Sequence, residues 1–206
     1  MFKHIFFIIL ITFLSMFLGI YFDDRLFGTI AFSSGILHTW YLIHNKRFNY
    51  IFGIIFYLFN SYIYYRHNLY CTFFISLFTC IPLQIDGFLF WKNQTLFESI
   101  KNNVSIIKYF ALITIGIGLS ILLNNIENQY LSLLDSFNCI STLCSIILIN
   151  LHYKNGFFML FINSNVNLLI WIINYIRKSP NSIMMLFLYI SYFTLSIYAI
   201  IKYRKS

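Results

Sequence analysis

The sequence predicts an all-α integral membrane protein of about eight transmembrane helices. Two observations carry that expectation. Of the 206 residues, 60% are hydrophobic and only 10% are charged, whereas a soluble domain is about a quarter charged. The few charges also fall between long apolar runs, so bilayer and water alternate along the chain.

A hydrocarbon core about 30 Å thick needs about 20 apolar residues per helical span. Segments near 5–22, 26–45, 49–66, 70–91, 105–124, 131–151, 156–176 and 182–201 meet that need. The first, led by Lys3, is too long for the usual core of a signal peptide and lacks a small-residue cleavage site before Asp23 and Asp24, which favours a retained helix. The fourth ends in Trp91-Lys92 and precedes the longest connection. The last runs into the basic tail Lys202 to Lys205.

With the amino terminus in the cytoplasm, Lys3, Lys46, Arg47, Lys92, Lys101, Lys108, Lys154, Lys202, Arg204 and Lys205 fall inside, against Arg25, Arg66, Arg177 and Lys178 outside. Positive residues favour the cytoplasmic side, so both termini are expected there. The same dispersal explains the net charge of +8 without nucleic acid, which would call for clustered basic residues on a soluble face. Cys71, Cys80, Cys139 and Cys144 lie inside apolar runs with no C-x-x-C pair, and read as packing residues, not metal ligands.

The spans have an internal order. Residues 1–25 give an N-terminal helix, 26–92 a three-helix repeat, 93–129 a linker helix with loops, and 130–206 a second three-helix repeat with the basic tail. A three-helix unit enters and leaves on opposite sides, so two units share one orientation only if an extra helix separates them. Two parallel repeats are a transporter layout, with binding near their interface.

The most specific text lies in the first repeat: Asn49-Tyr50-Ile51-Phe52-Gly53, then Asn68-Leu69-Tyr70, then Gln84 three residues before Gly87 and seven before Trp91. It resembles the PnuC family of nicotinamide riboside transporters, which shows N-Y-x-x-G, L-Y, and an Asn or Gln three residues before G-W-x-x-W. A second resemblance runs from Asp135-Ser136 to Tyr198. On one helix Gln84, Phe88 and Trp91 share a face. An amide beside two rings can bond a polar ligand and stack on its heterocycle, and a pyridinium is drawn to aromatic faces. Core packing is the alternative for Phe88. In the second repeat an ungapped alignment selects Phe157, Leu160 and Ser164, and a shift of one selects Phe158, Phe161 and Asn165; the shift keeps the chemistry better.

The resemblance therefore implies a substrate site of Gln84, Phe88, Trp91, Asn165, Asp135, Asn49 and Tyr198. Asp135 serves either as a helix cap or on the substrate path. Asn163 and Asn167 flank Asn165 and read as interhelical hydrogen-bonding groups. Asp86 points away from Gln84 and reads as a partner for another helix or as a snorkelling group, and His38 reads chiefly as packing. No phosphate-cradling G-x-x-x-x-G-K-[ST] loop, catalytic constellation or metal set is present. The resemblance implies facilitated diffusion of nicotinamide riboside, with no cofactor, in a bacterial inner membrane. It further implies a homotrimer and a cytoplasmic kinase that traps the imported vitamin for NAD synthesis. Thiamine or riboflavin is the alternative cargo, and a non-transporting scaffold or degenerate copy the alternative class.

Overall fold

A computed structural model describes residues 2–21, 26–89, 129–150 and 155–204, which are helical apart from short turns. The helices are α1 (Phe2–Tyr21), α2 (Leu26–Ile43), α3 (Phe48–Arg66), α4 (Tyr70–Leu89), α5 (Gln129–Asn150), α6 (Asn155–Ile176) and α7 (Ser182–Arg204). They coincide with seven of the expected spans to within a few residues at each end. The eighth, 105–124, lies outside the described residues, as do Trp91 and the expected linker.

Within α2, α4, α5, α6 and α7 the segments Leu26–Ile43, Tyr70–Leu89, Leu133–Asn150, Asn155–Ile176 and Ser182–Tyr203 are long and apolar enough to cross a membrane. In α1 the apolar stretch is shorter, Phe6–Tyr21. α3 is as long as its neighbours but more polar, because it carries Asn49, Asn60, Ser61 and a run of tyrosines. Those three polar residues are all buried. A helix with its polar groups turned inward is solvated by protein rather than by lipid, as expected of polar residues at membrane depth.

Packing closes six of these helices into a ring. α2 packs on α3, α3 on α4, α4 on α5, α5 on α6, α6 on α7, and α7 returns to α2, while α1 lies against α2. Directions follow from the contacts. The Tyr203 hydroxyl and the Lys202 ammonium both donate to the Ile43 carbonyl, at 2.5 and 3.0 Å, so the C-termini of α2 and α7 meet. Asp135 accepts from the first turn of α4, so the N-termini of α4 and α5 meet. The ring thus has two parallel seams, and Leu89 and Gln129 lie at its opposite ends.

Tight turns set the hairpins. After α2, α3 and α6 the chain enters the left-handed region at Asn45, Asn68 and Lys178. At each the next amide reaches back to a carbonyl five residues earlier: Lys46 to Tyr41, Leu69 to Tyr64 and Ser179 to Asn174. This satisfies carbonyls the helix end would leave bare. Asparagine tolerates that conformation, whereas lysine is strained in it. Lys178→Gly is expected to stabilise the protein by about 0.5–1 kcal/mol, raising its melting temperature in detergent by roughly 1–4 °C. An unchanged or lower melting temperature would show that the lysine side chain contributes more than its backbone strain costs.

Beside the second of these turns, the His67 ring stands edge-on to Trp171 at 4.8 Å. Burial there holds the imidazole below its ordinary range, against the raising effect of the Pro180 carbonyl and Asn174. The ring therefore packs as a neutral aromatic.

α4 is not regular. Residues Ser76–Cys80 form a π turn just before Pro82, which lacks the N–H an α-helix would donate to the Phe78 carbonyl. The extra residue resets the helical phase, so Gln84 is placed by the regular segment Ile81–Leu89 that follows.

Candidate functional site

Inside the ring, at the end where α2, α4, α5 and α7 finish and α3 and α6 begin, lies a cavity with about 420 Å³ of atom-free space. Much of that space is thin crevice and mouth, and its free centre holds only about two waters. Its polar wall comes from His38 and Thr39 on α2, Asn49 on α3, Gln84 on α4, and Ser145 and Asn150 on α5; Tyr50, Tyr57 and Tyr192 supply the rings. Both halves of the ring therefore contribute. No Asp, Glu, Lys or Arg appears among the described lining residues.

Two close approaches assemble this wall. A Cβ on Gly53 would stand 2.6 Å from Gln84 Oε1 and 2.9 Å from His38 Nδ1, so only glycine lets those side chains converge on α3. A Cβ on Gly87 would strike the Tyr50 ring, so that glycine lets α4 close onto α3. The His38 imidazole donates from Nδ1 to the Asn49 carbonyl at 2.8 Å, which in the neutral ring leaves Nε2 as an acceptor. Asn49 and Gln84 are 2% and 3% exposed, yet Asn49 Oδ1 and Gln84 Oε1 have no hydrogen-bond partner. An unpaired buried polar group costs about 1–3 kcal/mol. Two such acceptors on one cavity suit a ligand that brings donors.

The expected site residues separate on the structure. Asn49 and Gln84 come together on the cavity. Phe88 does not line it: one turn beyond Gln84, its carbonyl accepts from Arg47 Nε and Nη2 at 3.2 and 3.0 Å, and its ring lies 4.1 Å under the same guanidinium. Sharing a helical face does not mean sharing a depth, and at this depth Arg47 reaches the helix end. Trp91 lies outside the described residues.

Tyr198 is 45% exposed and lies near-parallel to Trp40 at 6.5 Å. Its turn of α7 faces inward at Tyr192, Ser196, Ala199 and Tyr203, and two residues from Ser196 is about 200° round the helix. Asn165 is half-buried and donates to the Phe161 carbonyl of its own helix at 2.7 Å. The ungapped register is the inward one. Phe157 and Ser164 are buried and Leu160 lines the cavity, whereas Phe158 is 55% exposed.

Asp135 lies at the far end of the ring, 3% exposed. It accepts from the Cys71 and Thr72 amides at 2.9 and 3.2 Å and from the Thr72 hydroxyl. This is an N-cap delivered across a helix interface, to α4 rather than to its own helix. Asn138 extends the cluster by donating to the Thr72 hydroxyl at 3.0 Å, and Asn163 donates to Asn138 Oδ1 at 2.8 Å. Asn163 and Asn167 thus make the interhelical bonds expected of them.

His38, Tyr57 and Tyr192 are cavity residues that the motif reading left aside. Tyr192 could have been found from the inward stripe of α7. Nothing local to the sequence marks His38, whose place depends on Gly53 across the helix pair.

A family model described as nicotinamide mononucleotide transporter matches residues 25–205. A curated relative, the nicotinamide riboside transporter PnuC of Neisseria mucosa, is 23% identical over 208 residues, covering 93% of this chain and 79% of that protein. The crystal structure of the vitamin B3 transporter PnuC matches with a TM-score of 0.76 at 20% identity, covering 98% of this chain and 91% of that one. At that identity the likeness shows a common fold.

Proposed function

Because the chain belongs to the nicotinamide mononucleotide transporter family, we propose that this multi-pass membrane protein carries nicotinamide riboside by facilitated diffusion through the cavity of its helical ring. The observation that carries the reading is the pair of orphaned acceptors, Asn49 Oδ1 and Gln84 Oε1, facing tyrosine rings in a cavity without fixed charge. A carboxamide N–H or ribose hydroxyls would satisfy the acceptors. The pyridinium charge would rest against aromatic faces, worth about 0.5–2 kcal/mol each. A phosphate would find no cation among the described lining residues and would lose its hydration uncompensated. The cavity therefore favours the riboside over the mononucleotide.

The two parallel three-helix repeats would rock about the cavity to expose it to each side in turn. Nothing in the sequence suggests a nucleotide-driven step, so net uptake would depend on a cytoplasmic kinase phosphorylating the vitamin and feeding NAD synthesis. We assign the protein to a bacterial inner membrane with both termini cytoplasmic, which puts the cavity at the cytoplasmic end of the ring, and expect it to assemble as a homotrimer.

Calorimetry on the detergent-purified protein tests the cargo. Nicotinamide riboside is expected to bind, with nicotinamide mononucleotide, thiamine and riboflavin at least about tenfold weaker, the loss of about 1.4 kcal/mol or more. A preference for thiamine or riboflavin would keep the carrier and discard the cargo. Binding of none would point to the degenerate copy.

A further inference from the structure

A second cavity lies deeper in the same ring, with about 330 Å³ of atom-free space that includes its mouth and a free centre that, like the first, holds only about two waters. Apart from Phe56, its own lining carries polar groups: Asn60, Tyr64, Thr72, Ser76, Thr142, Asn163 and Tyr189. It shares Tyr57, Ser145, Leu160 and Tyr192 with the first cavity. The two chambers are therefore neighbours across one wall.

Beyond it lies a hydrogen-bonded layer. The Tyr64 hydroxyl donates to Asn167 Oδ1 at 3.0 Å and bonds the Tyr189 hydroxyl, and beyond it lies the Asp135–Thr72–Asn138 cluster. These contacts join α3, α4, α5, α6 and α7 at the end opposite the first cavity. Two polar atoms of this chamber's lining lack a hydrogen-bond partner, Asn60 Oδ1 and the Tyr192 hydroxyl. Asn60 is 2% exposed and its Oδ1 has no hydrogen bond. The Asn60 side chain is hydrogen-bonded to Tyr64 and Tyr189, and its oxygen alone is left over for a further donor.

We propose that the Asn60 chamber is a second binding station on the transport path, which holds the hydroxyl-bearing cargo after it passes the Tyr57–Tyr192 wall. The proposal rests on the carrier reading. Hydroxyl groups and amides around the chamber match the ribosyl hydroxyls, and Asn60 Oδ1 receives one of them. Like the first cavity, its described lining holds no fixed charge, so a neutral or cationic nucleoside passes where a phosphorylated one does not.

The test places a thiol in the chamber without altering the first cavity. Thr142→Cys, in a Cys144→Ser background and reconstituted in liposomes, is treated with 2-aminoethyl methanethiosulfonate, whose attack by the thiolate forms a mixed disulfide and releases methanesulfinate. Labelling at position 142 is expected to reduce nicotinamide riboside uptake about tenfold while the equilibrium Kd stays within about threefold, the signature of a blocked step rather than a lost site. Ser76→Cys, on the opposing wall, gives the same readout should Thr142→Cys not fold. An unreactive thiol, a labelled protein with unchanged uptake, or a Kd that worsens in step with uptake would each overturn the proposal. If the unlabelled protein neither binds nor moves nicotinamide riboside, the cargo reading fails, while the labelling still decides whether the chamber is reached from solution.

Discussion

Gln84→Leu is expected to leave the protein folded and to weaken nicotinamide riboside binding about 100-fold, or about 2.7 kcal/mol. The size follows from the geometry. Gln84 is buried on the cavity wall with Oε1 unpartnered, so in the free protein leucine removes a group that is already unsatisfied, and stability should hold or rise. In the complex the same change leaves a donor of the ligand buried and unpaired, and sites built to bond a polar group reject a partner that cannot by large factors. Stability and affinity therefore move apart, which a merely structural glutamine would not show.

Gly53→Ala supplies an independent arm, because its methyl must push against Gln84 Oε1, 2.6 Å away. It removes no polar atom, yet it should weaken binding in the same direction by displacing the amide. Phe88→Ala and Tyr198→Ala should change Kd by less than about threefold, under 0.7 kcal/mol, since neither ring faces the cavity. Equal losses at Phe88 and Gln84 would move the site toward Arg47 and the end of α4.

Much of this arrangement was legible in the chain. Helix positions follow from apolar runs and the charges between them. Both are local, and each described helix falls within a few residues of its expected place. The Asn49-to-Gly53 and Gln84 motif also delivered two residues to one cavity. Helical phase alone could not deliver the rest. Phe88 shares the Gln84 face but sits a turn nearer the helix end, where Arg47 from another connection reaches it. In α6 the chemically attractive register, through Asn165, faces away from the cavity, and the plainer one, through Leu160, faces it. Phase errors of one residue rotate a side chain by about 100°, and only the neighbouring helix decides between them. His38 depends on Gly53 of the next helix, which no local pattern reports.

Asp135 separates two roles that the sequence alone left equal, and its variants should tell them apart. Asp135→Ala is expected to destabilise the protein by about 3 kcal/mol, since it strands the Cys71 and Thr72 amides and the Thr72 hydroxyl in a buried place. For a chain of this size that is a melting temperature lower by roughly 6–12 °C. Asp135→Asn keeps an oxygen that can accept from those amides and loses the charge, so its cost should be about 1 kcal/mol, nearer that of an ordinary cap. Were the carboxylate instead an electrostatic attractant for a cationic cargo, the order would differ. Asparagine would then cripple uptake as badly as alanine, with melting temperature barely changed. The geometry favours the first outcome, because both carboxylate oxygens are engaged by the start of α4. That capped end also anchors the helix that carries Gln84 to the cavity. Loss of the cap should therefore appear first in thermal unfolding, and only near the melting transition in substrate affinity.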